Sequence, residues 1–250
     1  MSTMVNYVKA VAASAWMHSL GARGDLRKLK EKTAMVLPDV LPSASCQEMI
    51  ARIDTAADES AHPRVWRDDV VSDTRVLGFE QDIPDLLPQL AVERRIAAAD
   101  AYTGRKTKAW FLMANRVVPR RNNLGSGGGL HRDSPFSHQV KYIWYLSDVT
   151  TENGPFQFIP DTHFNLLKTR AEYPLGQTRF DRVAHDMVEV TAKAGSLLIC
   201  DTKCIHRGKP IQAGARYAVT LYTLPTEDGA RNLLHGSGID PELVVQPRPS

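Results

Sequence analysis

At 250 residues, 43% hydrophobic and 24% charged, the chain can bury one substantial core, and a single all-β barrel or sandwich suits that length. A formal net charge of +3 without a block of five like charges argues against a nucleic-acid footprint. Cys46, Cys200 and Cys204 are odd in number and form no C-x-x-C, which argues against a disulfide framework or a structural zinc site and suits a reducing cytoplasm. The apolar run at 8–17 is too short to span a bilayer, so no membrane partner is expected.

In chain order, apolar residues at helical spacing over 5–20 predict a peripheral amphipathic helix ending before Gly21. A short strand follows at 33–42, punctuated by Pro38 and Pro42. A helix over 46–58 then carries the stripe Met49, Ile50, Ile53 and can be capped by Ser43 or Ser45. Residues 65–79 alternate β-branched or aromatic groups with charges and read as one or two edge strands. A second helix is predicted over 83–102, ending before Gly104, and 109–118 is a nearly continuous apolar run, hence a buried strand with Asn115 and Arg116 near its end. The glycine-rich run 125–129 lacks the lysine and helix of a phosphate loop and reads as a mobile lip. Strands are expected at 139–146, 154–159, 186–191, 196–199 and 217–224, with turns between them. The proline-bearing end, 241–250, is expected at the surface. Short strands after a helical first half predict an antiparallel sandwich or barrel with helices packed outside. The chain reads as one domain over 1–250: a helical extension at 1–32, a core at 33–224 and a tail at 225–250.

The chemistry centres on Leu130-His131-Arg132-Asp133. If this stretch is extended, His131 and Asp133 face one side and Arg132 the other. His206, after the apolar strand at 196–199, supplies a third ligand, and two imidazoles with one carboxylate form the facial triad that leaves open positions on a non-haem Fe(II). A His-x-Asp alone also arises in surface turns by chance. Ten residues beyond His206, Arg216 opens another strand, where a guanidinium can pair bidentately with a carboxylate.

Four pieces together resemble the phytanoyl-CoA dioxygenase-like family of Fe(II)/2-oxoglutarate oxygenases. They are Val36-Leu37-Pro38-Asp39-Val40-Leu41 with its following helix, the His131/Asp133 pair, Asn153-Gly154-Pro155-Phe156-Gln157-Phe158-Ile159-Pro160-Asp161-Thr162-His163, and the block from His206 to Arg216. The resemblance covers most of 33–224 and implies a mainly β, double-stranded β-helix (jelly-roll, cupin-like) core with flanking helices. It also implies Fe(II) on His131, Asp133 and His206, and 2-oxoglutarate as cosubstrate with Arg216 on its far carboxylate. Asn115 or Arg116 is implied as a further cosubstrate contact. The implied reaction consumes O2, hydroxylates an unactivated C–H of a small molecule, and releases succinate and CO2. Asp133 fills the position that a halogenating relative leaves small. Gly208 stands where the family often has a hydroxyl, which implies that one cosubstrate hydrogen bond is either missing or supplied by Thr220 or Tyr142. Two other readings stay open: a cupin-like metalloenzyme that does not use 2-oxoglutarate, against which Arg216 counts, and a non-catalytic jelly-roll binding protein, against which the triad counts.

Of the other residues, His163 reads equally as a loop clasp or a substrate contact, His138 and His185 as solvated or strand-face histidines, Trp144 and Tyr145 as core, and Cys200 and Cys204 as packing thiols. Arg116, Arg120, Arg121, Lys203, Arg207 and Lys209 flank the two ligand segments. Their convergence at the barrel mouth would favour an anionic substrate.

Overall fold

The computed structural model describes residues 26–59, 61–133, 140–163, 179–180 and 186–248, with residue 12 alone before them. Apart from residue 12, the helix expected over 5–20 lies outside the described residues, as do His138 and His185. No described helix is long and apolar enough to cross a membrane.

A short helix α1 (Arg27–Lys32) leads into β1 (Ala34–Leu37), and α2 (Ser43–Asp58) starts directly after Pro42, whose extended backbone (ψ 147°) marks the boundary. Along α2, Cys46, Met49, Ile53 and Ala56 recur at three- and four-residue spacing and are buried, so one stripe faces the core. After β2 (Val65–Arg67) and β3 (Asp73–Leu77), the helix expected from residue 83 begins later: Leu87–Leu90 is a 3₁₀ turn and α3 spans Val92–Thr103. Pro84 and Pro88 cannot donate backbone hydrogen bonds, and Ala91 sits in the left-handed region (φ 48°), so the turn and the helix cannot fuse. Gly104 (φ 66°) closes α3, donating its N–H to Asp100 O.

The strands β4 (Ala109–Val117), β5 (Leu130–His131), β6 (Val140–Tyr145), β7 (Phe156–Phe158), β8 (Arg179–Phe180), β9 (Val188–Val190), β10 (Leu197–Asp201), β11 (His206–Gly208) and β12 (Arg216–Leu224) complete the core with β13 (Gln246–Pro247). The major sheet runs β1-β10-β6-β12-β4-β3-β2, with β13 pairing to β4; the minor sheet runs β8-β5-β11-β7-β9, and every pairing is antiparallel. This is the double-stranded β-helix.

Period-two alternation divides the major sheet into two functional faces. Leu112 and Ala114 of β4, Tyr142 and Trp144 of β6, and Val219 and Leu221 of β12 join Met49 and Ile53 of α2 and Ile96 of α3 in the largest apolar cluster. The intervening residues Met113 and Asn115, Lys141, Ile143 and Tyr145, and Arg216, Ala218 and Thr220 line a cavity instead. The tail is more than a surface strand. Thr226 caps a helix α4 (Glu227–His235) by accepting from Gly229 N, and Leu234, Ile239 and Val244 are buried beside Phe111 and Tyr222. Proline enters β13 only at the sheet's margin, where a missing donor is tolerated.

Candidate metal centre

In the minor sheet His131 of β5 and His206 of β11 are register partners, and their rings lie 4.3 Å apart between centroids. Asp133 stands just beyond β5, held by its N–H donating to Thr202 O at 2.9 Å. Its Oδ1 is 3.6 Å from His131 Nε2, and one ligand atom from each of His131, Asp133 and His206 lies within 4.8 Å of the others. Each imidazole donates Nδ1–H to the carbonyl two residues upstream, His131 to Gly129 at 2.8 Å and His206 to Cys204 at 3.0 Å. That fixes the tautomer and leaves both Nε2 lone pairs for a metal. Burial disfavours protonation of both rings, lowering His131 and pushing His206 down to about 3 although Asp133 opposes the shift. Two neutral imidazoles and a carboxylate on adjacent strands suit a divalent first-row cation with positions left over.

Asp133 also meets a cation of the protein: Lys141 Nζ lies 2.6 Å from its Oδ2. Burial alone would lower Lys141, but Asp133 outweighs it and holds the ammonium above its usual range. Arg132 turns away as the alternation predicts, donating to Thr162 O at 2.6 Å and Lys203 O at 2.9 Å and so tying β5 to the segment that carries His206.

The cluster opens into a cavity of about 280 Å³. Arg216, 5% exposed, enters it from the start of β12 and donates to Gly154 O, while its Nε has no hydrogen-bond partner among the described residues. Burial pushes this guanidinium below its ordinary range, with Tyr145 and Asp73 opposing. A buried cation with a spare donor is a receptor for a carboxylate. Asn115 also lines the cavity, donating to Asp73 Oδ1 at 3.2 Å. Arg116, expected as an alternative cosubstrate contact, falls on the other face of β4 and pairs with Asp54 at 2.8 Å and Asp58 at 2.7 Å on α2, so it is not a cavity residue. Thr220 lines the cavity, whereas Tyr142 belongs to the apolar core behind the sheet.

The glycine-rich run is a docked lip whose glycines are required by conformation and space. Gly208 N donates to Ser126 O at 2.9 Å, Gly125 and Gly127 have φ of 80° and 90°, and a Cβ on Gly127 would come within 2.5 Å of His131 Cε1. Gly208 is small for the same reason: a Cβ there would lie 2.8 Å from Ser126 Cβ. The Ser126 hydroxyl, donating to Asp73 Oδ2 at 2.9 Å, thus stands beside the position where a hydroxyl was expected.

The expected rim of cations is not assembled. Arg116 faces α2, Lys203 is buried against Asp201, Arg207 donates to Gln157, Lys209 pairs with Glu189, and Arg120 and Arg121 are exposed and absent from the cavity walls. Arg75, Lys141 and Arg179 line the cavity instead, and Tyr145, buried in an apolar cluster as expected, also borders it. The readable signal for Lys141 was a lone charge in the otherwise apolar run 140–146; Arg75 and Arg179 carried none. His163 is a clasp: Nε2 donates to Lys30 O at 3.1 Å, and Nδ1 accepts from Thr33 Oγ1 at 3.0 Å. Cys200 and Cys204 are buried and free.

A double-stranded β-helix with a two-histidine, one-carboxylate cluster at its mouth defines the class of jelly-roll metalloenzymes. Within it, the chain belongs to the phytanoyl-CoA dioxygenase family, whose model matches residues 31–217. No curated protein matches the chain in sequence. Among solved structures, the epimerase SnoN from nogalamycin biosynthesis, in complex with Fe3+, alpha-ketoglutarate and nogalamycin RO, is 18% identical with a TM-score of 0.60, covering 94% of this chain and 96% of its own. HygX from Streptomyces hygroscopicus, with nickel and 2-oxoglutarate bound, is 18% identical with a TM-score of 0.57, covering 82% and 87%. The alpha-ketoglutarate-dependent carbocyclase SnoK from nogalamycin biosynthesis is 17% identical with a TM-score of 0.56, covering 92% and 95%.

Proposed function

We propose that this protein is an Fe(II)- and 2-oxoglutarate-dependent dioxygenase that hydroxylates an unactivated C–H of a small molecule: substrate, 2-oxoglutarate and O2 give the alcohol, succinate and CO2. The observation that carries the reading is the tautomer-locked pair of imidazoles with Asp133, opening into the same cavity as the buried Arg216. Family membership and neighbours crystallised with iron or nickel and 2-oxoglutarate support the cofactor set.

When bound, Fe(II) supplies the redox chemistry that couples decarboxylation of the cosubstrate to oxidation of the C–H. The chain's own work is positional. His131 and His206 present neutral nitrogens; Asp133 presents Oδ1 while Lys141 holds Oδ2, limiting it to one coordinating oxygen. Arg216 receives the 5-carboxylate, and that pairing removes the penalty of a buried guanidinium without an anion. Asn115, anchored to Asp73, sets the wall beside it. Tyr145, Phe156 and Ile143 restrict water around the reacting carbon.

Because SnoN is an epimerase and SnoK a carbocyclase, the outcome is decided by product mass. Candidate substrates are screened for succinate release with Fe(II) reconstituted under nitrogen and then exposed to O2. Hydroxylation adds one oxygen to the product; an unchanged mass denotes epimerisation and a loss of two hydrogens ring closure, and either replaces the hydroxylase reading while keeping the cofactors. Absence of succinate with every substrate, together with no uptake of Fe(II), contradicts the whole proposal.

A further inference from the structure

Two cavities meet at the glycine-rich lip. The inner one holds the His131, Asp133 and His206 cluster, and an outer one of about 460 Å³ shares Arg75, Gly127 and Arg179 with it. The combined space is in the range of small-molecule sites. A side chain at Gly127 would lie on the His131 ring, so glycine keeps the passage between the cavities clear. The outer cavity adds Trp66, whose ring lies 4.7 Å from the Arg75 guanidinium, and the exposed Leu124.

Charge decides what this passage can take. Arg75 donates Nε and Nη2 to Asp73 Oδ2 at 3.0 and 2.7 Å, and Lys141 pairs with Asp133. With Fe(II) and the 2-oxoglutarate dianion cancelling each other, Arg216 and Arg179 leave the inner cavity with a net positive charge. Because the 5-carboxylate of the cosubstrate is the contact partner of Arg216, Arg179 is the cation still without a described carboxylate beside it. Arg179 meets no carboxylate among the described residues: its Nη1 donates to the carbonyls of Gly127 and Gly128, and its Nε and Nη2 have no described hydrogen-bond partner. The acidic Asp68 and Asp69 belong to the outer wall and not to the passage, and Asp68 is already occupied by the N–H groups of Ser72 and Asp73.

We propose that the substrate is an anion whose carboxylate, phosphate or sulfate group is held by Arg179 at this passage. Its body packs against Trp66 in the outer cavity, and its reacting carbon passes Gly127 toward the His131/His206 pair. The reacting end of this inference rests on the proposed function; the anion site does not. A guanidinium tethered by carbonyls on one nitrogen presents its other edge as a bidentate donor, the geometry suited to such groups. The residues differ from those the sequence suggested: Arg116, Lys203, Arg207 and Lys209 are held by other partners, and Arg120 and Arg121 are exposed away from both cavities.

The test uses inorganic phosphate as probe and the fluorescence of Trp66 as readout, with Trp66→Phe to identify the signal. Phosphate is titrated into metal-free protein and into protein loaded under nitrogen with Fe(II) and saturating 2-oxoglutarate. Wild type gives a saturable change in both states. Arg179→Gln, an exposed position whose replacement leaves the core intact, raises the dissociation constant about tenfold or more, as expected for one lost charge-assisted pair. Arg179→Lys restores part of the affinity. Equal binding in wild type and Arg179→Gln, or no saturable change in wild type, overturns the site. A raised 2-oxoglutarate requirement in Arg179→Gln with phosphate binding unchanged also overturns it, by assigning Arg179 to the cosubstrate. Phosphate held at Arg179 by a protein that takes up no Fe(II) would sink the proposed function and leave the anion site standing.

Discussion

Chain segments 130–133 and 200–206 contribute to two neighbouring buried polar clusters. One holds His131, Asp133 and His206 at the cavity; the other joins Asp201 and Lys203 to Tyr102, which donates to Asp201 Oδ2 at 2.9 Å, and adjoins His163 and Thr33. Burial depresses the proton affinity of histidines in both. What separates them is the accounting of ring nitrogens. His163 spends both, on the Lys30 carbonyl and the Thr33 hydroxyl, and so closes a loop. His131 and His206 each spend Nδ1 on a carbonyl and leave Nε2 facing the cavity. Burial and a shifted pKa therefore do not mark a ligand; a nitrogen left without a protein partner beside a carboxylate does.

The sharpest way to break this comparison is to remove the histidines of the cavity cluster one at a time. His131→Ala and His206→Ala are expected to abolish succinate formation while the fold persists, because most of the core lies elsewhere; wild-type turnover in either would erase the distinction. Next in size is the pair of arginines on adjacent strands. Arg216→Ala removes the buried guanidinium proposed to hold the cosubstrate carboxylate, and a loss of about 2 to 5 kcal/mol is expected to raise the 2-oxoglutarate requirement from tens to thousands of fold. Arg116→Ala loosens a partly exposed pairing with α2 and leaves that requirement unchanged. Steady-state titration of 2-oxoglutarate checks both.

His163→Ala is expected to cost about 1 to 3 kcal/mol of stability, from the buried hydrogen bonds left unmade, with the metal still taken up. Urea denaturation measures it, and loss of metal with no loss of stability would reverse the assignment of the two sites. The last consequence is a pH dependence of stability. A histidine held neutral in the folded state binds fewer protons than in the unfolded chain below its ordinary value of 6.5. Metal-free protein is therefore at full stability above that pH and loses it as pH falls toward about 3, where His206 protonates. His206→Ala should flatten the slope of the urea midpoint in that window, as should His163→Ala; a slope unchanged in both would mean that other groups carry it.

An antiparallel sandwich or barrel was legible in the alternating strands with turn residues between them, and the His131/Asp133 pair in a spacing that matches a strand; the jelly roll itself came with the family resemblance, and His206, seventy-three positions beyond Asp133, with the strand that precedes it. Asn115 and Arg116 show where that reading stops. Adjacent residues on a strand face opposite ways, and the run 109–118 is apolar on both faces, so periodicity cannot say which of the two points inward. Only the pairing of Arg116 with Asp54 and Asp58, more than fifty positions upstream, decides it. The late start of α3 was hidden by a helical stripe that continued through Pro84 and Pro88, residues whose missing donors outweigh it. Arg75 and Arg179 reach the cavity through sheet topology that no local window contains.

The central claim is tested most directly by equilibrium titration of Fe(II) under nitrogen into wild type, His163→Ala, and the double variant His131→Ala/His206→Ala. The account predicts one equivalent bound by wild type and by His163→Ala, and none by the double variant. One equivalent retained by the double variant, or lost from His163→Ala while that variant remains folded, would contradict it.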